Sequence, residues 1–261
     1  MPKLILQNDF LENMETNLME GLVKCSRYAF GPNRLHYCGP DANKEIYDYI
    51  ADNKSDLGLK KLLKQFETMY PYLRRIAESN GIRDPFDIRV VEAYWIGNRL
   101  LENVTQKELF RHLSEVHNLK KKLNAKSFSR LSDILESGGI PHHSFHVFAI
   151  WKRTGHEEKE HTIESIDSCR ISWGRVMEVS GPTVTVERKQ LVILNNKLAF
   201  SEPQNQRFTR TLDASDDIEG IESGNIVTIH WGVLCEAINE TKVKMLERYT
   251  LQSMNLVNRM L

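Results

Sequence analysis

The chain carries no surplus of charge: 35 lysines and arginines stand against 35 aspartates and glutamates. A nucleic-acid or other polyanionic partner draws a basic footprint, so a balanced chain gives no electrostatic case for one. Long apolar runs are also missing. No stretch approaches the roughly eighteen apolar residues of a membrane-spanning helix. The opening Met1-Pro-Lys-Leu-Ile-Leu-Gln-Asn-Asp9 is too short an apolar run for a signal peptide. The expectation is a cytoplasmic protein with neither a membrane nor a nucleic-acid partner. Cysteine is sparse: Cys25, Cys38, Cys169 and Cys235 include no close pair. That excludes a disulfide framework and leaves reduced thiols able to bind metal. Internal repeats, low-complexity tracts, a nucleotide-binding loop, a dinucleotide fingerprint and a nucleophile elbow are all absent.

At 261 residues the chain has room for two modest domains, each with its own core. The first half reads as helical. Asn8 or Asp9 can cap a helix whose apolar stripe is Leu11, Met14, Leu18, Leu22 and Cys25. Further helices are predicted over 43–53, from a Ser55 cap through Leu59 to Met69 before Pro71, over 72–80 up to Gly81, and over 86–101. Thr105-Gln-Lys-Glu108 is a capping box opening the next helix, and 127–136 forms another, closed by Gly138-Gly139. His112 and His117 read as surface or edge residues. The run from Ser144 to Trp151 is β-branched and aromatic enough to read as a strand, with His142 in the turn before it.

Within this half, Cys25, His36, Cys38, Glu92, His142, His143 and His146 are candidates for a metal or redox site. His36, Cys38 and Asp41 fall in one aromatic loop, and function collects on loops held by a rigid scaffold. Each also has a plainer role. Cys25 can be a small buried apolar residue. Local turn chemistry explains Gly39, Pro40 and Asp41 equally well. Glu92 can pair with Arg89 or Arg99 or reach solvent. Of the three clustered histidines, one can cap a turn, one can face solvent and one can sit satisfied in the core.

Residues 152–168 turn polar and charged, which predicts a linker, with His156 and His161 solvated. Beyond it, strands are predicted near 170–179, 183–188, 190–194, 197–201 and 225–234, with a polar loop over 201–223 that includes a turn at Asp213 to Asp217. A closing helix follows from about Asn239. Cys169 stands just ahead of the first alternating run. Ile226, Thr228 and His230 share one face of the last strand, because strand side chains alternate with period two. A thiolate and an imidazole brought together are ligands that borderline-soft metals take, though two ligands do not close a site.

The segments Cys169-Arg-Ile-Ser-Trp-Gly174-Arg-Val176 and Gly224-Asn-Ile-Val227-Thr-Ile-His230 resemble the two motifs of the HypC/HupF family of hydrogenase-maturation chaperones. Cys169, Gly174 and Val176 match the first motif, and Gly224, Val227 and His230 match the second. Trp173 stands where that family has proline, and Cys169 is internal where the family's cysteine opens the mature chain. The resemblance covers about the last third of the sequence and implies a small OB-like β-barrel with a closing helix. The expected fold class is therefore α+β: a helical domain over 1–151, the linker, and a HypC-type barrel with its helix over 169–261.

The resemblance also implies a function. The protein would be a maturation factor for nickel-iron hydrogenase, binding or delivering the iron fragment with cyanide and carbonyl ligands, Fe(CN)2CO, or its precursor. Cys169 would be the iron ligand and His230 its assistant, with Arg170 and Arg175 near enough to lower the thiol's pKa. Its partners would be the hydrogenase large-subunit precursor and other maturation proteins of the HypD-like kind. A second possibility is a metal-dependent enzyme that works through the Cys/His/Glu cluster of the helical half and makes or loads a ligand of the hydrogenase iron. A third is a generic small β fold that matches the motifs by accident.

Overall fold

The computed structural model describes residues 2–116, 119–150, 162–212 and 220–259, with the side chains of 2–14, 116, 119 and 122 left aside. The chain begins with α1 (Pro2–Arg34), then α2 (Asn43–Ala51), α3 (Leu57–Leu63), α4 (Met69–Ser79) and α5 (Ile88–Trp95). A 3-10 turn over Arg99–Asn103 leads to α6 (Gln106–Arg111), which runs into a π turn at His112–Val116. Next come α7 (Leu119–Lys122), α8 (Ala125–Glu136), α9 (His143–Ala149) and α10 (Ile163–Cys169). Leu11, Met14, His117, His156, His161 and the expected turn at 213–217 lie outside the described residues or side chains.

Caps explain where most of these helices start. Asp56, rather than Ser55, accepts from the amides of Gly58 and Leu59 and opens α3. Thr105 and Glu108 form the reciprocal capping box of α6, as expected. Pro71 does not end a helix, because it lies in the first turn of α4, where its missing N–H removes no helical bond. The helix expected over 86–101 stops at Gly97, whose φ of 100° lies in the left-handed region. A side chain at that position would strike the Tyr249 ring.

The strand expected from Ser144 onward is a helix instead. His142, in extended conformation, accepts the Ser144 amide on its Nδ1 and so caps α9. The residues from His143 to Phe148 are all buried. A short run buried on every side carries no period that separates helix from strand, and the cap decides it.

The sheet follows as β1 (Ser172–Ser180), β2 (Thr183–Arg188), β3 (Leu191–Leu194), β4 (Lys197–Phe200), β5 (Gln204–Thr209), β6 (Ile226–His230) and β7 (Val233–Ile238). Five strands form an antiparallel sheet in the order β5-β2-β1-β6-β7, and β3 and β4 make a separate hairpin. The β5 and β7 edges approach one another with no ladder between them among the described residues. β5 falls inside the stretch expected to be a polar loop. The strand expected over 225–234 is two strands, β6 and β7, joined through Trp231 and Gly232, both at positive φ. Left-handed residues at both central positions are what a tight hairpin turn requires.

The last helix, α11 (Glu240–Asn258), is capped by Asn239 and packs on α9 and β4. Helix α1 crosses from α5 to β6 and β7. One cluster of buried apolar residues runs through the helices and the sheet alike. The architecture is α+β: helices, then an antiparallel sheet, then a closing helix. No helix among the described residues is long and apolar enough to cross a membrane.

Candidate metal centre

The register of β1 on β6 brings the two motif residues together. Ser172 pairs with Ile229 and Trp173 with Thr228, so the chain just before β1 runs beside the end of β6. The Trp231 amide donates to the Ser168 carbonyl at 2.8 Å, which ties the last turn of α10 to the residue after His230. Cys169 is the final residue of α10, not part of a strand.

Asp167 anchors this end of α10. Its carboxylate accepts from Arg170 Nε at 2.9 Å, from an Arg188 guanidinium nitrogen at 2.7 Å and from the Leu191 amide at 2.8 Å. Arg170 is therefore spent on Asp167 and on the Lys189 carbonyl, with its guanidinium over the Phe200 ring. Arg175 is exposed and reaches the Gly224 carbonyl and Glu240. Both arginines, expected to act on the Cys169 thiol, have these other partners.

His230 is fixed from the side of α1. Its Nδ1–H donates to the Tyr28 carbonyl at 2.7 Å, and the Tyr28 hydroxyl is 2.9 Å from that of Thr228. Thr228 and His230 thus share the α1-facing side of β6, as their alternation predicts. α1 comes this close because residue 31 is glycine; a Cβ there would collide with the His230 carbonyl oxygen. The other ring nitrogen of His230, Nε2, is buried without a hydrogen-bond partner among the described residues. Burial pushes the ring's pKa down to about 4, so the imidazole is neutral near pH 7.

A third donor comes from α9. His143 places its Nε2 2.7 Å from the Cys169 carbonyl and its Nδ1 3.2 Å from the Tyr94 hydroxyl. Burial, reinforced by the neighbouring His230, holds its pKa well below the ordinary histidine value. The two imidazole rings meet edge to face with centroids 5.1 Å apart, and Trp95 flanks both. One donor atom each from His143, Cys169 and His230 lie within 4.8 Å of one another. Two neutral imidazoles and a thiol at that spacing are a donor set for a borderline-soft ion such as zinc or iron. The orphaned Nε2 of His230 fits the same use, since a buried acceptor with no partner is costly unless something fills it.

The three side chains line a cavity of about 500 Å³ walled by Ala29, Pro32, Phe66, Met69, Tyr94 and Trp95. Cys38 lines it too, on a loop held where the Asn33 side-chain amide donates to the Cys38 and Pro40 carbonyls.

The other candidates are placed elsewhere. Cys25 is wholly buried against Met69, and burial raises its thiol to about 12. His36 is at the surface, paired with Asp41. Glu92 pairs with Lys24 and Lys242 rather than with either expected arginine; burial pulls its carboxyl upward, but the two lysines outweigh it and leave it below the usual range. His142 caps α9 and stacks on Tyr249, its pKa lowered to about 3 by burial. His146 bonds Tyr72, and His112, expected at the surface, is buried with its ring against Tyr72. Cys235 is in the core, as expected. Of the proposed second cluster, only His143 and Cys38 reach the cavity. Tyr94, Tyr28 and Gly31 carry no local signal of this site: Tyr94 meets His143 across 49 residues of chain and Tyr28 meets His230 across 202, and the Tyr28–Gly31 stretch, which reads as part of the aromatic loop, lies in α1.

Fold and site together define an α+β protein with a His/Cys/His group, its two histidines buried and its cysteine partly exposed, where its helices meet its sheet. Residues 17–261 match the model of a family described as "Family of unknown function (DUF6390)", and the chain belongs to that family. No curated protein and no solved structure matches it.

Proposed function

We propose that the chain is a maturation factor for nickel-iron hydrogenase that binds or delivers the cyanide- and carbonyl-bearing iron fragment, or its precursor, through Cys169 and His230. The observation that supports this best is the meeting of the two motif residues at one cavity, brought there by the β1–β6 register and the Trp231–Ser168 hydrogen bond. Two features of the second motif agree with it. Gly224 has a φ of 94° at the turn into β6, where glycine is favoured, and the Nε2 of His230 has no hydrogen-bond partner among the described residues. An OB-like barrel belongs to the same proposal, as do a cytoplasmic setting and partners such as the hydrogenase large-subunit precursor and HypD-like proteins.

Chemically, the thiol must lose its proton to ligate. His230 presents a neutral Nε2 while its Nδ1–H stays on the Tyr28 carbonyl, the arrangement that orients a metal-binding imidazole. The largely apolar cavity wall would keep water from the cargo.

The test is infrared spectroscopy with iron analysis on protein purified without oxygen from a host that has the hydrogenase-assembly machinery. Cyanide and carbonyl stretching bands are expected in the wild type and absent in Cys169→Ala. Bands that persist in the variant, or a wild type with neither bands nor iron, would overturn the proposal.

A further inference from the structure

We infer that His143 is a third protein ligand, so that the helical part of the chain completes the metal site and leaves one coordination position open to the cavity. This rests on the metal-binding role of Cys169 and His230 and adds to it a residue outside both motifs.

Three observations carry it. His143 is the described residue that joins Cys169 and His230 in a group of potential ligands, with donor atoms within 4.8 Å of one another. Both of its ring nitrogens are held, one by the Cys169 carbonyl and one by the Tyr94 hydroxyl. Whichever nitrogen turns to an ion, the other keeps a polar partner that fixes the ring, as ligating histidines generally require. Tyr94 is suited to this supporting place. Its hydroxyl lies 3.2 Å from His143 Nδ1 and can either donate to that nitrogen or accept from it. It is a positioning residue.

The third observation is access. Three protein ligands with one open position is the pattern of sites that bind and exchange an outside group, whereas structural zinc sites use four. Here His143, Cys169 and His230 all face the 500 Å³ cavity, whose wall is largely aromatic and aliphatic. An open position there suits small uncharged or singly charged ligands of the metal and disfavours large polar ones.

The experiment is a titration of the reduced, metal-free full-length protein with cobalt(II), read by its optical spectrum. The wild type should bind one ion per chain, with a thiolate-to-cobalt charge-transfer band and the strong visible bands of a low-coordinate site. Cys169→Ser should lose the charge-transfer band. His143→Ala should keep it but bind roughly 10–100-fold more weakly with fainter visible bands, and Tyr94→Phe should keep both bands with a smaller loss of affinity. His143→Gln, which keeps hydrogen-bonding groups in the pocket, guards against misfolding of the alanine variant. X-ray absorption of the wild-type cobalt complex should count two imidazoles and one sulfur, with no variant needed. One imidazole, or a His143→Gln that binds as the wild type does while His230→Ala and Cys169→Ser fail, would overturn the third ligand and leave the Cys169–His230 pair standing. A wild type that binds no cobalt would overturn both.

Discussion

The imidazole of His230 and the main chain of Tyr28 are locked together, with Nδ1 2.7 Å from the carbonyl oxygen. One hydrogen bond thereby sets the tautomer, points Nε2 away from α1, and couples the C-terminal part of the first helix to the end of a strand late in the chain. Tyr28 is itself held, its ring stacked on Trp95 and its hydroxyl 2.6 Å from Glu236.

Acid should destabilise the fold earlier than carboxylate titration alone would. His142, His143 and His230 are buried and neutral, with folded pKa values below the ordinary 6.5. The unfolded chain therefore takes up protons first as pH falls. The stability tied to neutral rings is fully present above about pH 6.5 and is lost progressively as pH falls toward the folded values, about 4 for His230 and about 3 for His142. Urea midpoints measured from about pH 7.5 down to about pH 5 should drop over that span; a flat profile would contradict the burial of neutral imidazoles.

Gly31→Ala should damage the site from outside it. The added methyl meets the His230 carbonyl oxygen, so α1 or β6 must shift. The expected loss of stability is about 1–3 kcal/mol, as for overpacking elsewhere. Cobalt affinity should fall with it, and a variant that matches the wild type in both measurements would mean that the two elements have slack.

Asp167→Asn should be more severe. It removes the one carboxylate shared by Arg170 and Arg188 and leaves two buried guanidinium groups without their counter-charge. Breaking a buried ion pair from one side costs about 3–5 kcal/mol. Thermal unfolding would register this directly, and thiol reactivity at Cys169, two residues on, should rise as the end of α10 loosens.

Alkylation should separate the four cysteines into two pairs. Cys25 and Cys235 are fully buried, with thiols raised by burial, whereas Cys38 and Cys169 are partly exposed. Iodoacetamide treatment of native protein followed by peptide mass spectrometry should mark Cys38 and Cys169 and spare the others until the chain unfolds. Added metal should protect Cys169. Labelling of Cys25 in the native state would place it outside the core.

Much of the fold is legible from local rules. The capping box at Thr105, the Asn239 start of the last helix and the alternation in β1, β2 and β6 depend on near neighbours in sequence. β5 escaped because an edge strand with polar residues such as Gln204, Asn205 and Gln206 has no buried face to mark it. α9 reads as a strand because a run buried from His143 through Phe148 shows no period. The centre itself was half legible. Motif spacing pairs Cys169 with His230, whereas the sequence pattern groups His143 with the other candidates of the helical half. Its place beside them depends on α9 packing against α10, a long-range relationship that no local pattern encodes.

The donors of the centre come from three separate pieces of chain: the start of α9, the last residue of α10 and the end of β6. An ion bound to all three would act as a reversible cross-link between helices and sheet. Ligand occupancy and global stability would then be thermodynamically linked, since whatever binds only the folded state raises its stability. Releasing the ion would require α9, α10 or β6 to let go first, so anything that pries at the seam between α10 and β6 would set the moment of release.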